Sequence, residues 1–280
     1  MKKRIDVLSI TFLGLLLAIA GCGGGGSNRQ PVQPETPAPA PQAIVLTGVV
    51  SDSPIAGGSI YLFAADDVND ALSAANAAED RIGALNDSAP LAVLNRDTAD
   101  EDGYEISVPG ERAGEVVFII FDSTDADDEE FGDTPANLES VTILGAEGTT
   151  QRVNLSLHAT LISQQVRAGL TTPVDGAAVE TDLATAETNV LDALGEGPDG
   201  EALYPEGESL LETEDDEIIH AASSLVGLMA RTIAALEGVS LDEVVAALAM
   251  DAADGEIDGD VSALFDPSED QQELVDVAAE

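Results

Sequence analysis

The residues that could act as acids, bases or nucleophiles are unevenly distributed in this chain. Carboxylates are abundant, with 54 Asp and Glu in 280 residues, whereas there are two histidines, His158 and His220, and one cysteine, Cys22. Neither histidine belongs to a catalytic or zinc-binding motif, and no G-x-S-x-G or H-E-x-x-H pattern occurs. Because carboxylates occur throughout, no pair stands out as the acid and base of a glycosidase. The sequence therefore predicts that the protein is not an enzyme and that both histidines have packing or surface roles.

Calcium is the ligand that the acidic residues suggest, since calcium sites need several converging oxygen atoms. The stretch DGEIDGDVSALFD (254–266) places Asp254, Glu256, Asp258 and Asp260 close to the spacing of an EF-hand loop. Phe265 stands at the twelfth position, where a bidentate acid is needed. A solvated acidic turn is the alternative interpretation. No cofactor is predicted to be required, and calcium is a candidate ligand.

The cysteine lies at the end of an N-terminal export signal. A positive head at residues 2–4 is followed by an apolar run from Leu8 to Ala20. This run is shorter than the roughly 20 residues that a membrane-spanning helix needs. No later segment is expected to be apolar for long enough to span a membrane. Residues 1–21 are therefore predicted to be a signal peptide.

The junction Ile19-Ala20-Gly21-Cys22 resembles the lipobox of bacterial lipoproteins. The resemblance implies that Cys22 becomes the N-terminus after cleavage and is acylated on its sulfur and on its amine. One acyl chain holds a protein only marginally, whereas two or more anchor it stably. An ordinary signal peptide with an unrelated cysteine nearby is the alternative. The expected location is the cell envelope, and the outer membrane is favoured because Gly23, not an aspartate of the inner-membrane retention type, follows Cys22.

The segment after the cysteine has the composition of a tether. Residues 22–42 are rich in glycine and proline, and PVQPETPAPAP (31–41) favours extended polyproline II. Such a tether would hold a folded body away from the membrane surface.

The net charge limits the partners that this protein can bind. A formal charge of −44 repels nucleic acid and anionic lipid headgroups, so neither is expected as a partner. A hydrophobic fraction of 44% is ordinary for a folded protein and argues against disorder. The predicted partners are the membrane, through the lipid anchor, and an envelope protein or polysaccharide.

The part from 43 to 157 has the pattern of an all-β sandwich, in which short runs of β-branched and aromatic residues alternate with Gly, Pro, Asp and Ser. The predicted strands are AIVLTGVV (43–50), SIYLFAA (59–65), APLAVLN (89–95), YEISVPG (104–110), EVVFIIF (115–121), LESVTILG (138–145) and QRVNLSL (151–157). Gly57-Gly58 and Asp102-Gly103 are expected to supply the positive φ that tight turns require. An Ala-rich insertion at 65–88 is predicted to be helix or loop, and the acidic segment 122–137 to be a loop.

After residue 157 the apolar residues recur with a period near 3.6, which predicts helices. The segments are HATLISQQVRAGL (158–170), a stripe from Val179 to Leu194, a stripe from Ile218 to Leu236, and a helix opened by a capping box from Ser240 to Glu243. The predicted fold class is thus α+β with segregated domains, a sandwich at 43–157 and a helical domain at 158–280.

Two stretches, LTGVVSDSPIAGGSIYLFAAD (46–66) and RDTADEDGYEISVPG (96–110), resemble the carboxypeptidase regulatory-like, transthyretin-like β-sandwich of bacterial surface proteins. The matching positions are Gly48, Val50, Asp52, Pro54, Ile55, Gly57, Gly58, Ile60, Asp100, Asp102, Gly103 and Tyr104. The segment LDEVVAALAMDAADGEIDG (241–259) resembles the helical tail of similar lipoproteins. The resemblance implies a structural module and brings no catalytic residue with it.

These features predict a lipid-anchored envelope protein with a non-catalytic binding or structural role. The alternative is an accessory protein to, or a degenerate relative of, a cell-wall or polysaccharide hydrolase. An acid pair converging in a pocket would favour the alternative, and a solid sandwich without a pocket would favour the first interpretation.

Overall fold

In a computed structural model of the chain, the structure describes residues 41–52, 55–68, 85, 88–96, 103–128, 131–132, 134–195, 202 and 209–257. The predicted signal peptide, Cys22 and nearly all of the tether lie outside these residues. Most of the Ala-rich insertion also lies outside them, although residues 65–68 are helical.

The described strands form two sheets in the N-terminal half of the chain. In the first sheet, β1 (Ile44–Ser51) pairs antiparallel with β4 (Gly103–Val108) and parallel with β7 (Thr150–Arg152) and β8 (Leu155–Ser156). The second sheet is antiparallel, with the order β3 (Ala92–Asn95), β2 (Ile55–Ala64), β5 (Val116–Asp128), β6 (Leu138–Ile143). All seven runs predicted to be strands lie on these strands, and the last run is divided between β7 and β8.

Two segments predicted as turn or loop belong to strands. β2 already begins at Ile55, and Gly57 and Gly58, with φ of 82° and 78°, lie at an irregularity in its pairing with β5. The positive φ predicted for Gly103 is wrong, because Gly103 is the first residue of β4 and has extended backbone. A Cβ on Gly58 would lie 2.3 Å from the Phe121 ring, so glycine is needed there. The loop predicted at 122–137 is wrong for 122–128, because β5 continues to Asp128. Backbone pairing with the start of β2 outweighs the low strand propensity of aspartate.

Four α-helices are described in the C-terminal half: α1 (Leu157–Gly169), α2 (Gly176–Leu194), α3 (Asp216–Glu237) and α4 (Leu241–Asp251). Each begins after a side chain that accepts a hydrogen bond from a backbone N–H group of the first turn; these caps are Ser156, Asp175, Asp215 and Ser240. The predicted capping box between Ser240 and Glu243 is confirmed.

Strands and helices bury side chains in the same hydrophobic cluster. Phe118 and Phe121 of β5, Leu161 of α1, Val226 of α3 and Val244 of α4 all belong to it. The mixed α+β class, with strands before helices, is confirmed. The division into separate domains at residue 157 is not confirmed, since described strands before it and described helices after it share this cluster.

The helix α3 has 22 residues and contains an 18-residue window with a mean hydropathy of 1.4, so by length and composition alone it could cross a membrane. This differs from the expectation that no segment after the signal is apolar enough. One face of α3 packs against the protein, with Ile219, Ala222, Ser223, Val226, Gly227 and Ala230 buried. A helix that packs in a protein core passes the same test, so these values alone do not indicate a membrane span.

Candidate functional site

Three charged side chains meet where α3 passes the ends of β1 and β5. Arg231 of α3 donates hydrogen bonds to both oxygens of Asp52, at 2.9 and 2.8 Å, and to Oδ2 of Asp128 at 2.7 Å. Asp52 follows β1, Asp128 ends β5, and the two residues are 0% and 1% exposed. Burying charges is costly unless they are paired and hydrogen-bonded, and the planar guanidinium meets this requirement.

The surrounding backbone completes the hydrogen bonding of this charge cluster. The N–H of Ala136 donates to Oδ2 of Asp52 at 3.1 Å, and the N–H of Phe131 donates to Oδ1 of Asp128 at 2.9 Å. The Phe131 ring lies 4.3 Å from Cζ of Arg231, within the range of a cation–π contact. Burial raises the pKa of Asp52 above its usual value, while hydrogen bonding to Arg231 and the charge of Arg231 act in the opposite direction. All four carboxylate oxygens therefore accept a hydrogen bond.

A glycine makes room for the charge cluster. A Cβ on Gly227 would lie 2.4 Å from Oδ1 of Asp52 and 2.8 Å from a terminal nitrogen of Arg231. Because Arg231 follows Gly227 by one helical turn, the two residues occupy the same face of α3. The cluster thus fixes α3 to both sheets.

A second buried ion pair joins a helix to a strand. Nε of Arg167 in α1 lies 3.2 Å from Oε1 of Glu139 in β6, and Ser163 donates to the same oxygen at 2.7 Å. The side chains of Arg167 and Glu139 are 1% and 0% exposed. Both ion pairs thus connect a C-terminal helix to an N-terminal strand.

His220 forms a hydrogen bond that the sequence did not reveal. Its Nδ1 lies 2.6 Å from Oγ of Ser51, at the end of β1. A serine next to an imidazole is the arrangement of a nucleophile and its base. Ser51 is 0% exposed, however, and its carbonyl accepts a hydrogen bond from Ser223 of α3. The Ser51–His220 contact is therefore partly buried, and it joins α3 to β1.

His158 lies in α1 and is fully buried. Burial lowers its pKa to about 4, and a hydrogen bond with the backbone of Leu194 opposes this effect. The imidazole is consequently neutral at pH 7, because the charged form would cost free energy in this buried position.

The predicted calcium ligands are only partly described. Asp254 and Glu256 are exposed, and Oδ1 of Asp254 accepts a hydrogen bond from the Glu256 N–H at 3.1 Å. Asp258 and Asp260 lie outside the described residues. Among the residues that the structure does describe, no group of three or more His, Cys, Asp or Glu side chains is placed to hold a metal ion. Calcium binding at 254–260 stays a prediction.

An open hollow of about 900 Å³ lies at the N-terminal end of α3. Among the residues that the structure describes, its lining consists of Ser209, Glu212, Thr213, Glu214, Asp215, Asp216 and Glu217, which include five carboxylates and no cation. Asp215 caps α3 by accepting from the Ile218 N–H, and Asp216 pairs with Arg152 outside the lining. This acidic hollow is a surface that attracts cationic groups.

No protein-family model, no curated protein and no solved structure matches this chain. The interpretation of its sites therefore rests on its own residues.

Proposed function

We propose that this chain is a lipid-anchored protein of the cell envelope whose folded body has a non-catalytic binding or structural role. The observation that carries the proposal is the N-terminal sequence: a positive head, an apolar run and the junction Ile19-Ala20-Gly21-Cys22. The position of the folded body agrees with it. β1 begins at Ile44, directly after the Pro-rich segment that ends at 41, and Ile44 is fully buried.

We propose further that the two sheets form a β-sandwich of the carboxypeptidase regulatory-like type at 43–157, followed by a helical part at 158–280. Three residues of the motif that carries this resemblance make close contacts, and these contacts support the proposal. A Cβ on Gly48 would lie 2.0 Å from the Val153 carbonyl oxygen, which accepts a hydrogen bond from the Tyr104 hydroxyl. Asp52, of the same motif, binds Arg231.

A non-catalytic role is supported by the burial of the groups that could react. Asp52 and Asp128 converge, as a hydrolase pair would, but both bind Arg231 and are nearly inaccessible to solvent. Ser51 contacts His220 but is equally buried. These described residues do not favour the alternative of a hydrolase relative.

The proposed location is the outer membrane, since Gly23 and not an aspartate follows Cys22. The proposed partners are an envelope protein or polysaccharide. Nucleic acid is not proposed as a partner, because a charge of −44 repels it.

The experiment is to compare the wild-type chain with Cys22→Ser by cell fractionation and by the size of the processed protein. We expect the wild type in the membrane fraction and the variant as an uncleaved precursor or a soluble protein. Gly25→Ser, which leaves the cysteine in place, is the matched control and should behave as the wild type. A wild-type protein in the soluble fraction contradicts the proposal. Full membrane retention of a cleaved Cys22→Ser chain also contradicts it, and would direct attention to α3.

A further inference from the structure

One face of α3 is exposed, largely apolar and free of charge. We call it the apolar stripe; its members are Ala221, Leu225, Leu228, Thr232, Ala235 and Leu236. Leu225, Leu228 and Leu236 are 40%, 53% and 51% exposed. Positions 221, 225, 228, 232 and 235 follow intervals of four and three residues, so they line one side of the helix. This spacing is typical of a helix that packs against another helix along a seam.

The apolar stripe stands out on a chain with 54 acidic residues, because α3 has no carboxylate between Glu217 and Glu237. Glu217 precedes Ala221 by one turn and therefore lies on the same side of α3. Glu217 also lines the acidic hollow. The hollow and the apolar stripe thus form one continuous surface, acidic at the N-terminal end of α3 and apolar beyond it.

We propose that this surface binds an amphipathic helix that carries lysine or arginine at one end. The inference rests on the proposed binding role of the folded body and is independent of the anchor at Cys22. Leucine-type side chains of the partner would contact Leu225 and Leu228, and its cations would enter the acidic hollow. Cations are most stable near the C-terminus of a helix. The partner helix therefore runs antiparallel to α3, with its basic last turns at the hollow.

The charges favour this occupant over two others. A second copy of the chain would bring the same charge of −44 toward the hollow, and like charges oppose such a contact. Helices that bind to a membrane surface usually carry lysine and arginine on their polar face. The one Lys or Arg of α3 is Arg231, and it binds the buried carboxylates of Asp52 and Asp128.

The test uses the full-length chain carrying Cys22→Ser, which stays free of lipid, and synthetic helical peptides of Leu, Ala and Gln. The first peptide has lysines in its last turns, the second has the same lysines in its first turns, and the third has glutamates in place of lysines. Binding is measured by fluorescence anisotropy. We expect the first peptide to bind most tightly, the third to bind at least about tenfold more weakly, and added salt to weaken the first.

The apolar contact is tested with the double variant Leu225→Gln, Leu228→Gln. Both side chains are exposed, so the fold should tolerate the change, and unchanged thermal unfolding verifies this. We expect affinity for the lysine peptide to fall about tenfold or more. Val93→Gln is the matched control, because Val93 is 46% exposed and lies on β3, outside the proposed binding surface; it should leave affinity unchanged.

The acidic contact is tested with Glu214→Gln, Glu217→Gln. This double variant should bind the lysine peptide about tenfold more weakly and should reduce its preference over the glutamate peptide. Glu105→Gln, Glu180→Gln, which changes two exposed acids on β4 and α2, is the control for the same change in net charge.

Equal binding of the lysine and glutamate peptides would overturn the proposal, as would full affinity in the Leu225→Gln, Leu228→Gln variant. Dimers of the unliganded chain, seen in sedimentation and abolished by the same double variant, would overturn it in favour of a second copy. Such failures would leave the anchoring of Cys22 untouched, since that is decided by fractionation.

Discussion

Replacing Arg231 with methionine should destabilise the fold severely, because the change leaves two buried carboxylates without their cation. Methionine is close to arginine in its apolar length, so the loss comes mainly from the charge and its hydrogen bonds. Removing one partner of a buried ion pair costs about 3–5 kcal/mol. The loss of the cation–π contact with Phe131 adds to this, by about 0.5–2 kcal/mol. Since domains are stable by about 5–15 kcal/mol, this is a large fraction of the total.

The destabilisation should depend on pH. Burial raises the pKa of Asp52 above its usual value, and the hydrogen bonds and charge of Arg231 limit this rise. Without the guanidinium, the folded Asp52 carboxyl binds a proton at a higher pH than the unfolded one does. Stability of the Arg231→Met variant is therefore lost as pH rises through the folded pKa and is partly recovered as pH falls. The deficit relative to wild type should be smaller at pH 5 than at pH 7.5.

The assay is urea denaturation followed by circular dichroism at both pH values. Arg231→Lys keeps the positive charge but loses the planar fork, so its deficit should be intermediate. Asp128→Asn leaves Asp52 paired with the guanidinium and should cost less than Arg231→Met. A deficit below about 1 kcal/mol for Arg231→Met, or one that is the same at both pH values, would refute the role assigned to this cluster.

Three further predictions concern pH and ions. Because the pKa of His158 is about 4 in the folded chain against about 6.5 unfolded, stability should fall by about 3 kcal/mol as pH drops through this range. His158→Gln should remove that loss of stability. The measurement is the difference in free energy of unfolding between wild type and variant across this pH range, since both chains carry the same acidic residues. Parallel pH profiles would contradict the prediction. Raising sodium chloride should raise the Tm by screening a net charge of −44. If 254–260 binds calcium, about millimolar calcium should raise the Tm further in high salt. The double variant Asp258→Asn, Asp260→Asn should abolish that increment. A Tm that does not change with calcium would mean that this segment is a solvated acidic turn.

The elements that rest on local patterns were predictable from the sequence. Alternating apolar runs gave the strands, and the 3.6-residue period gave α1, α2, α3 and α4. The capping box at Ser240 follows from two residues three positions apart. The end of β5 was missed because its aspartates favour loops, and only pairing with Ile55, on another strand, makes it extended.

The charge cluster could not be predicted from local patterns, since Asp52 and Arg231 are 179 positions apart. The same holds for Ser51 and His220, at 169 positions. One signal was present: Arg231 is the one Lys or Arg in the apolar helix α3, one turn from a buried glycine. An arginine on the buried face of a helix needs a buried carboxylate as its partner. The sequence does not show which of the 54 Asp and Glu residues supplies that carboxylate.

The most direct test of the proposed function is mass spectrometry of the N-terminal peptide of the mature protein, isolated from its native membrane. The proposal predicts a chain that begins at Cys22, with a diacylglyceryl group on the sulfur and an acyl group on the amine. A mature protein that carries an unmodified Cys22, or that begins at a residue after it, would contradict the proposal.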